Sequence, residues 1–183
     1  RGFNESVIMP YPKDVVDVVF YLRDYDGNFV EKMKLTVDPN DYFIRHANYY
    51  PYPIYDVYGD YDPQNAVDIV ILPDGYTSEE MGKFIKDCDY FKNCLFSYEP
   101  YASYTDRFNI RAVMAPSKDS GITIPAEDIW KNTAVNCAFY TFDSERYCMS
   151  YDNQSIRNLA GLTPYDQIYI LANTSKYGGG GIY

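Results

Sequence analysis

The residues of this chain that could do chemistry are few and poorly paired. One histidine, His46, is present, and without a second histidine at helical spacing no pair can face one metal ion from adjacent turns. The cysteines Cys88, Cys94, Cys137 and Cys148 match neither a C-x-x-C redox motif nor paired zinc knuckles, which argues against a structural zinc. Ser120 stands before Gly121, but its neighbours lack the G-x-S-x-G elbow and no motif ties His46 to it, so a serine hydrolase is not expected. Asp74, between Pro73 and Gly75, suits a loop anchor or, more commonly, a turn former whose carboxylate bonds nearby N–H groups. Counting an EF-hand loop from Asp24 puts Phe29 where glycine is needed and Leu35 where the bidentate Glu is needed, which excludes calcium there. The run Tyr177-Gly178-Gly179-Gly180-Gly181 lacks the Lys-Ser or Lys-Thr of a phosphate loop. Glycines let another backbone approach and leave ladder groups open. The run therefore reads either as an edge on which a peptide adds as a strand or as a loop with a large ordering entropy.

The elements that must position these groups follow from periodicity. Asp14 to Leu22 and Val30 to Val37 are rich in Val and partly alternating, and Asp24-Tyr25-Asp26-Gly27-Asn28 between them is a hairpin turn. Pro39, Pro51, Pro53 and Pro63 punctuate a Tyr-rich stretch that can hold little regular structure, which puts a module boundary near Asp60 to Ala66. Ile69 to Leu72 form a short apolar run closed by Pro73-Asp74-Gly75, as a strand covered on both faces requires. Thr77 and Glu80 have capping-box spacing. Met81, Phe84, Ile85, Cys88, Phe91 and Leu95 recur at three-and-four spacing, predicting a helix over Ser78 to Phe96. Cys88 falls on its buried face as an inert thiol, and Cys94 lies too far round the helix to bridge to it. Phe108 to Met114 predicts a further strand. Thr133 to Tyr140 and Arg146 to Tyr151 predict a hairpin around Phe142-Asp143-Ser144-Glu145, on whose two arms Cys137 and Cys148 can meet in a disulfide. Asn153 to Ala160 predicts a short helix ended by Gly161, and Gln167 to Ala172 a buried strand. This order predicts an α+β or α/β fold, a mixed sheet with packed helices whose central strands include Ile69 to Leu72 and Ile168 to Leu171.

Three blocks carry a family resemblance: VDIVILPDGYTSEE (Val67 to Glu80), FNIRAVMAPSKDSGI (Phe108 to Ile122) and DQIYILANTSKYGGGGIY (Asp166 to Tyr183). Together they resemble the start of the catalytic domain of the IgA peptidase (M64) zinc metallopeptidases. The resemblance implies that residues 66–183 form the upper subdomain of a zincin-like peptidase, and that residues 1–65 are the C-terminal part of a β-sandwich-like module. It further implies that Tyr177, Gly178, Gly179, Gly180 and Gly181 line the cleft for a protein or peptide substrate. The family's zinc is held by an HExxH helix that follows the Tyr-Gly-Gly segment, with a metal-activated water as nucleophile and the motif's glutamate as base. Neither the motif nor its downstream ligand occurs in residues 1–183, so the expectation is a zinc-dependent parent enzyme and a portion that by itself holds no zinc and cleaves nothing.

Charge and composition narrow the partners. A formal charge of −10 opposes nucleic acid and anionic membrane surfaces, where affinity comes from Lys and Arg releasing counterions. No apolar stretch approaches the roughly 20 residues of a membrane span, and no leader sequence is visible. Arg1 in place of Met suggests a processed or partial chain, and a secreted or envelope setting is expected, one that would permit the Cys137–Cys148 bond. Tyrosine is the outlier, with 22 residues against 10 Phe and 1 Trp. A Tyr-rich surface suits half-buried strand positions, and it also keeps open a rival reading, a non-catalytic secreted module binding protein or glycan.

Overall fold

A run of valines on either side of an Asp-Gly turn produces the first unit. The computed structural model describes residues 9, 12–44 and 51–181, and His46 lies outside them. Strands β1 (Val16–Arg23) and β2 (Phe29–Val37) pair antiparallel. Asp24 closes the hairpin turn that the sequence suggested, accepting the N–H groups of Asp26 and Asn28 through Oδ1 at 3.0 and 2.8 Å in an Asx geometry. The described part of this unit is thus a two-stranded hairpin, with Leu22, Phe29, Met33 and Leu35 exposed.

The second unit begins near residue 50. Strand β3 (Ile54–Tyr58) pairs antiparallel with β5 (Phe108–Val113), although the sequence reading left residues 54–58 irregular and in the first module. Pro51, Pro53 and Pro63 flank this strand instead of interrupting it, and its pairing partner lies far away in sequence, so local pattern could not reveal it. Strand β4 (Val67–Asp74) runs parallel to β5 on one side and to β8 (Gln167–Ala172) on the other, giving the order β3-β5-β4-β8. A short hairpin, β6 (Ala138–Phe139) with β7 (Cys148–Met149), stands apart from that sheet. The fold is α+β, a mixed sheet with packed helices.

Burial follows the alternation along β4. Ile69 and Ile71 face helix α1 (Met81–Leu95) and pack with Phe84, Cys88, Ile110 and Ala112, whereas Val70 and Leu72 face helix α2 (Asn153–Ala160) and pack with Val113, Val135, Phe139 and Ala160. The starts of both helices have local causes. Asp152 caps α2 by accepting the Ser155 N–H at 3.0 Å, and a 3-10 turn, Ser78–Glu80, leads into α1. Strand β8 is the exception to expectation: it is the end strand of the described sheet and only half-buried. Its apolar residues serve the two faces, as where Tyr169 packs on Phe91 with ring centroids 4.8 Å apart, and not a position between two neighbours.

The opposite end of β4 holds a buried charge that no motif announced. Asp68 is 2% exposed and accepts from Arg111 Nη1 at 2.7 Å and from Asn109 Nδ2 at 3.0 Å, and its backbone is doubly bonded to Asp166. Removing one partner of such a pair leaves an uncompensated charge. Arg111→Met should therefore destabilise the second unit by about 3–5 kcal/mol, read as a lower urea midpoint. An unchanged midpoint would refute the role given to this pair.

Candidate functional site

The carboxyl end of β4 is where the sheet turns into a polar network. Gly75 adopts φ +74, and a Cβ there would collide with the Gly121 carbonyl, so only glycine fits the turn. Asp74 has no exposed surface, and its carboxylate accepts the Val135 N–H at 2.8 Å, the Cys137 N–H at 2.9 Å and the Thr133 hydroxyl at 3.0 Å. Asp74 is therefore the loop anchor and not the local turn former, because its donors come from the 133–137 segment. Burial pushes its carboxyl above the usual carboxylate range, against the opposing pull of those donors. Ser117 ties the same segment a second time, its Oγ accepting from the Gly75 and Ala134 N–H groups at 2.9 Å each.

On the other side of the turn, Glu80 gathers the start of α1. The capping box forms, the Thr77 N–H donating to Glu80 Oε2 at 3.0 Å while Ser120 Oγ and Asn173 Nδ2 donate to Oε1 at 2.9 and 3.1 Å. Asn173 also donates to the Gly75 carbonyl at 2.8 Å and receives Lys83 Nζ at 2.9 Å. Ser120 is thus a strut between loops. Asn173, one residue past β8, is the member that sequence reading missed, because only the parallel pairing of β8 with β4 brings it to Gly75.

Loop anchoring also explains why the predicted hairpin is shorter than expected. The N–H groups of Ala134, Val135 and Cys137 are engaged by Ser117 and Asp74, and the Val135 carbonyl receives the Ser150 hydroxyl. Those groups cannot join a ladder, so pairing is confined to Ala138↔Met149 and Phe139↔Cys148. Tyr140, Phe142 and Asp143 turn the chain with φ values of +64, +56 and +56, conformations that non-glycine residues adopt only under tertiary constraint. Cys137 and Cys148, the pair expected to meet in a disulfide, stand as free thiols on neighbouring positions of the hairpin, with the Cys137 N–H bound to the Asp74 carboxylate.

Against this hairpin lies the glycine run. The Gly179 N–H donates to the Arg146 carbonyl at 2.9 Å. A Cβ on Gly178 would collide with the Phe139 ring, and one on Gly180 would sit 2.9 Å from the Met149 sulfur, whereas Gly179 and Gly181 face open space. Residues 178 and 180 press on the hairpin and the alternate positions do not, as in an extended chain with one free side. Tyr177 is exposed, and Lys176 beside it pairs with Glu145 at 2.8 Å and Glu127 at 3.2 Å. Phe139 and Met149 also floor an open hollow of about 580 Å³, rimmed by Asn136, Tyr140, Tyr151 and Asp152. Among the described residues no group of three or more His, Cys, Asp or Glu side chains converges to hold a metal ion.

The model of one family, IgA Peptidase M64, matches residues 56–183. A comparison with curated proteins finds no match.

Two outcomes test this geometry. Gly178→Ala should lower thermal stability, whereas Gly181→Ala should leave it unchanged, and equal melting temperatures for the two would overturn the packing described. The Glu80 carboxyl is held below its usual range chiefly by the Thr77 N–H. Its stabilising contribution is therefore full above the ordinary Glu pKa of about 4.3 and is lost as pH falls through the lowered folded-state value. Glu80→Gln should flatten the acid limb of stability against pH, as followed by circular dichroism.

Proposed function

We propose, for a chain that belongs to the IgA Peptidase M64 family, that residues 51–181 supply the substrate-holding part of a zinc-dependent metalloendopeptidase. The family makes it part of a peptidase, with a protein or peptide as substrate. The observation that carries the finer reading is the alternation of the glycine run. Gly178 and Gly180 are packed on Phe139 and Met149, and Gly179 and Gly181 are left open. A substrate backbone approaching that open side meets no side chain, and the hollow beside Phe139 and Met149 is placed to receive one of the substrate's side chains. Residues 1–183 contain no HExxH motif, so the reading assigns the metal's ligands to sequence outside them and no step of hydrolysis to this chain's own groups. Its part is to bind and orient.

The β1–β2 hairpin, with apolar residues exposed along both strands, suits a portion of a β-sandwich, since an isolated two-stranded sheet is marginal in water. The same reading places the protein in a secreted or envelope setting, one that would permit Cys137 and Cys148, free thiols here, to join in a disulfide. The exposed edge-to-face pair Tyr42 and Phe43 favours the rival reading, a non-catalytic module binding protein or glycan.

The decisive experiment expresses residues 1–183 beside a chain extended through the HExxH helix, and measures zinc content and hydrolysis of an unfolded protein with a chelator control and with the motif's Glu changed to Gln. Zinc and hydrolysis in the long chain alone are expected. Stoichiometric zinc in the short chain would overturn the ligand assignment, and an inactive, metal-free long chain would favour the binding module. In the active chain, Gly181→Val should raise KM by about tenfold through steric exclusion of the substrate backbone, with the melting temperature and zinc content unchanged. Gly179 is different: its N–H already holds Arg146, so Gly179→Pro should loosen the hairpin as well as weaken substrate use.

A further inference from the structure

The thiols of the β6–β7 hairpin and the carboxylate behind them form a group that peptide binding does not use. We propose that Cys148, Cys137 and Asp74 constitute a thiol–disulfide exchange site, in which Cys148 attacks a small external disulfide such as that of a glutathione-like tripeptide, Cys137 resolves the mixed disulfide, and Asp74 accepts the Cys137 proton. Register places the three together. Phe139 lies opposite Cys148, so Cys137, two residues before Phe139, projects from the same face as the diagonal neighbour of Cys148. Cys137 is 3% exposed and bonded through its N–H to Asp74 at 2.9 Å, whereas Cys148 is only half-buried.

The division of roles follows from this asymmetry. The neighbouring Cys148 thiol, together with burial, pushes the Cys137 thiol up, and the Cys137 thiol beside it pulls the Cys148 thiol down. Cys148 is thus the more accessible of the two thiols and the more readily ionised to the thiolate that attacks a disulfide. Attack forms the Cys148–S–S–R bond and breaks the S–S bond of the reagent, releasing the first thiolate. Cys137 then passes its proton to Asp74 and attacks Cys148 Sγ, releasing the second thiolate. Both protein thiol protons end on the two released thiols, so one external disulfide is reduced as one protein disulfide forms. A buried carboxylate with a raised proton affinity is suited to receive that proton.

The bond would tie β6 to β7 directly behind the glycine run, whose Gly179 is held by Arg146 and whose Gly180 rests on Met149. Oxidation would thereby fix the surface on which the substrate backbone is proposed to lie. That consequence rests on the peptide-edge reading, whereas the exchange itself does not.

The test equilibrates the chain with reduced and oxidised glutathione, alkylates the remaining thiols under denaturing conditions and locates adducts by peptide mass spectrometry. Loss of two alkylatable thiols, at Cys137 and Cys148, is expected, and four alkylatable thiols in oxidising buffer would overturn the proposal. Cys137→Ala should accumulate glutathione on Cys148, whereas Cys148→Ala should resist modification at Cys137, and the reverse order would overturn the assigned roles. Asp74→Asn, checked for a folded melting transition, should form the adduct at the normal rate but resolve it about a hundredfold more slowly. General loosening would instead accelerate both steps, and an unslowed resolution would remove Asp74 from the site. If Asp74→Asn does not fold, the two cysteine variants still decide the order of attack. These thiol measurements hold whether or not hydrolysis is found. In an active chain, oxidation should lower KM without changing kcat, and a KM indifferent to the bond would overturn only the link to the glycine edge.

Discussion

The carboxylate of Asp74 receives two backbone N–H groups and a hydroxyl from the 133–137 segment, and most of what is distinctive in the second unit depends on that bond set. Without it, residues 133–137 would have their N–H groups free for a longer β ladder. With it, the ladder shrinks to two pairs, Cys137 is drawn under β4, and the hairpin is held where the glycine run can lie on it. An anchor of this kind is effective because an unmet buried donor costs about 1–3 kcal/mol each, so the segment has few alternative arrangements.

The same turn joins two networks of different character. On one side, Asp74 and Ser117 fix a loop through buried bonds that water cannot replace. On the other, Glu80, Ser120, Asn173 and Lys83 form a more exposed mesh between the start of α1 and the end of β8. The carboxyl ends of β4 and β8 thus carry polar side chains at the point where the connections leave the central strand for opposite sides, a recurrent location for function in open sheets with parallel strands. In this chain those side chains satisfy each other, and the open surface lies instead along the glycine run and the hollow beside the hairpin.

Close packing and openness coexist in the glycine run because its residues alternate. A side chain at 178 or 180 would strike Phe139, Arg146 or Met149, and none at 179 or 181 would strike anything. The glycines are therefore required by the hairpin on one side while leaving the other side accessible. The two sequence alternatives, substrate edge and loop without fixed conformation, differed over ordering entropy. Contacts to the hairpin offset that entropy, and no property of the glycines themselves could have indicated so.

Sequence alone determined the elements whose cause is local: the hairpin turn at Asp24 to Asn28, the capping box at Thr77 and Glu80, helix α2 from Asn153 to Ala160, and strand β8 from Gln167 to Ala172 all stand where periodicity and end signals place them. The apolar run Ile69 to Leu72 likewise declared its burial on both faces, since each face of a covered strand must be apolar. The quoted blocks around Asp74, Asp119 and Tyr177 carried the family likeness. Tertiary structure alone decided which distant groups met. It recruited residues 54–58 to the sheet, put β8 at its end, turned Asp74 from a local turn former into the anchor of the 133–137 segment, brought Asn173 to Gly75 and buried Asp68 against Arg111. Each of these is a pairing across tens of residues, fixed by satisfaction of buried polar groups and by strand register, and neither leaves a periodic trace in the chain.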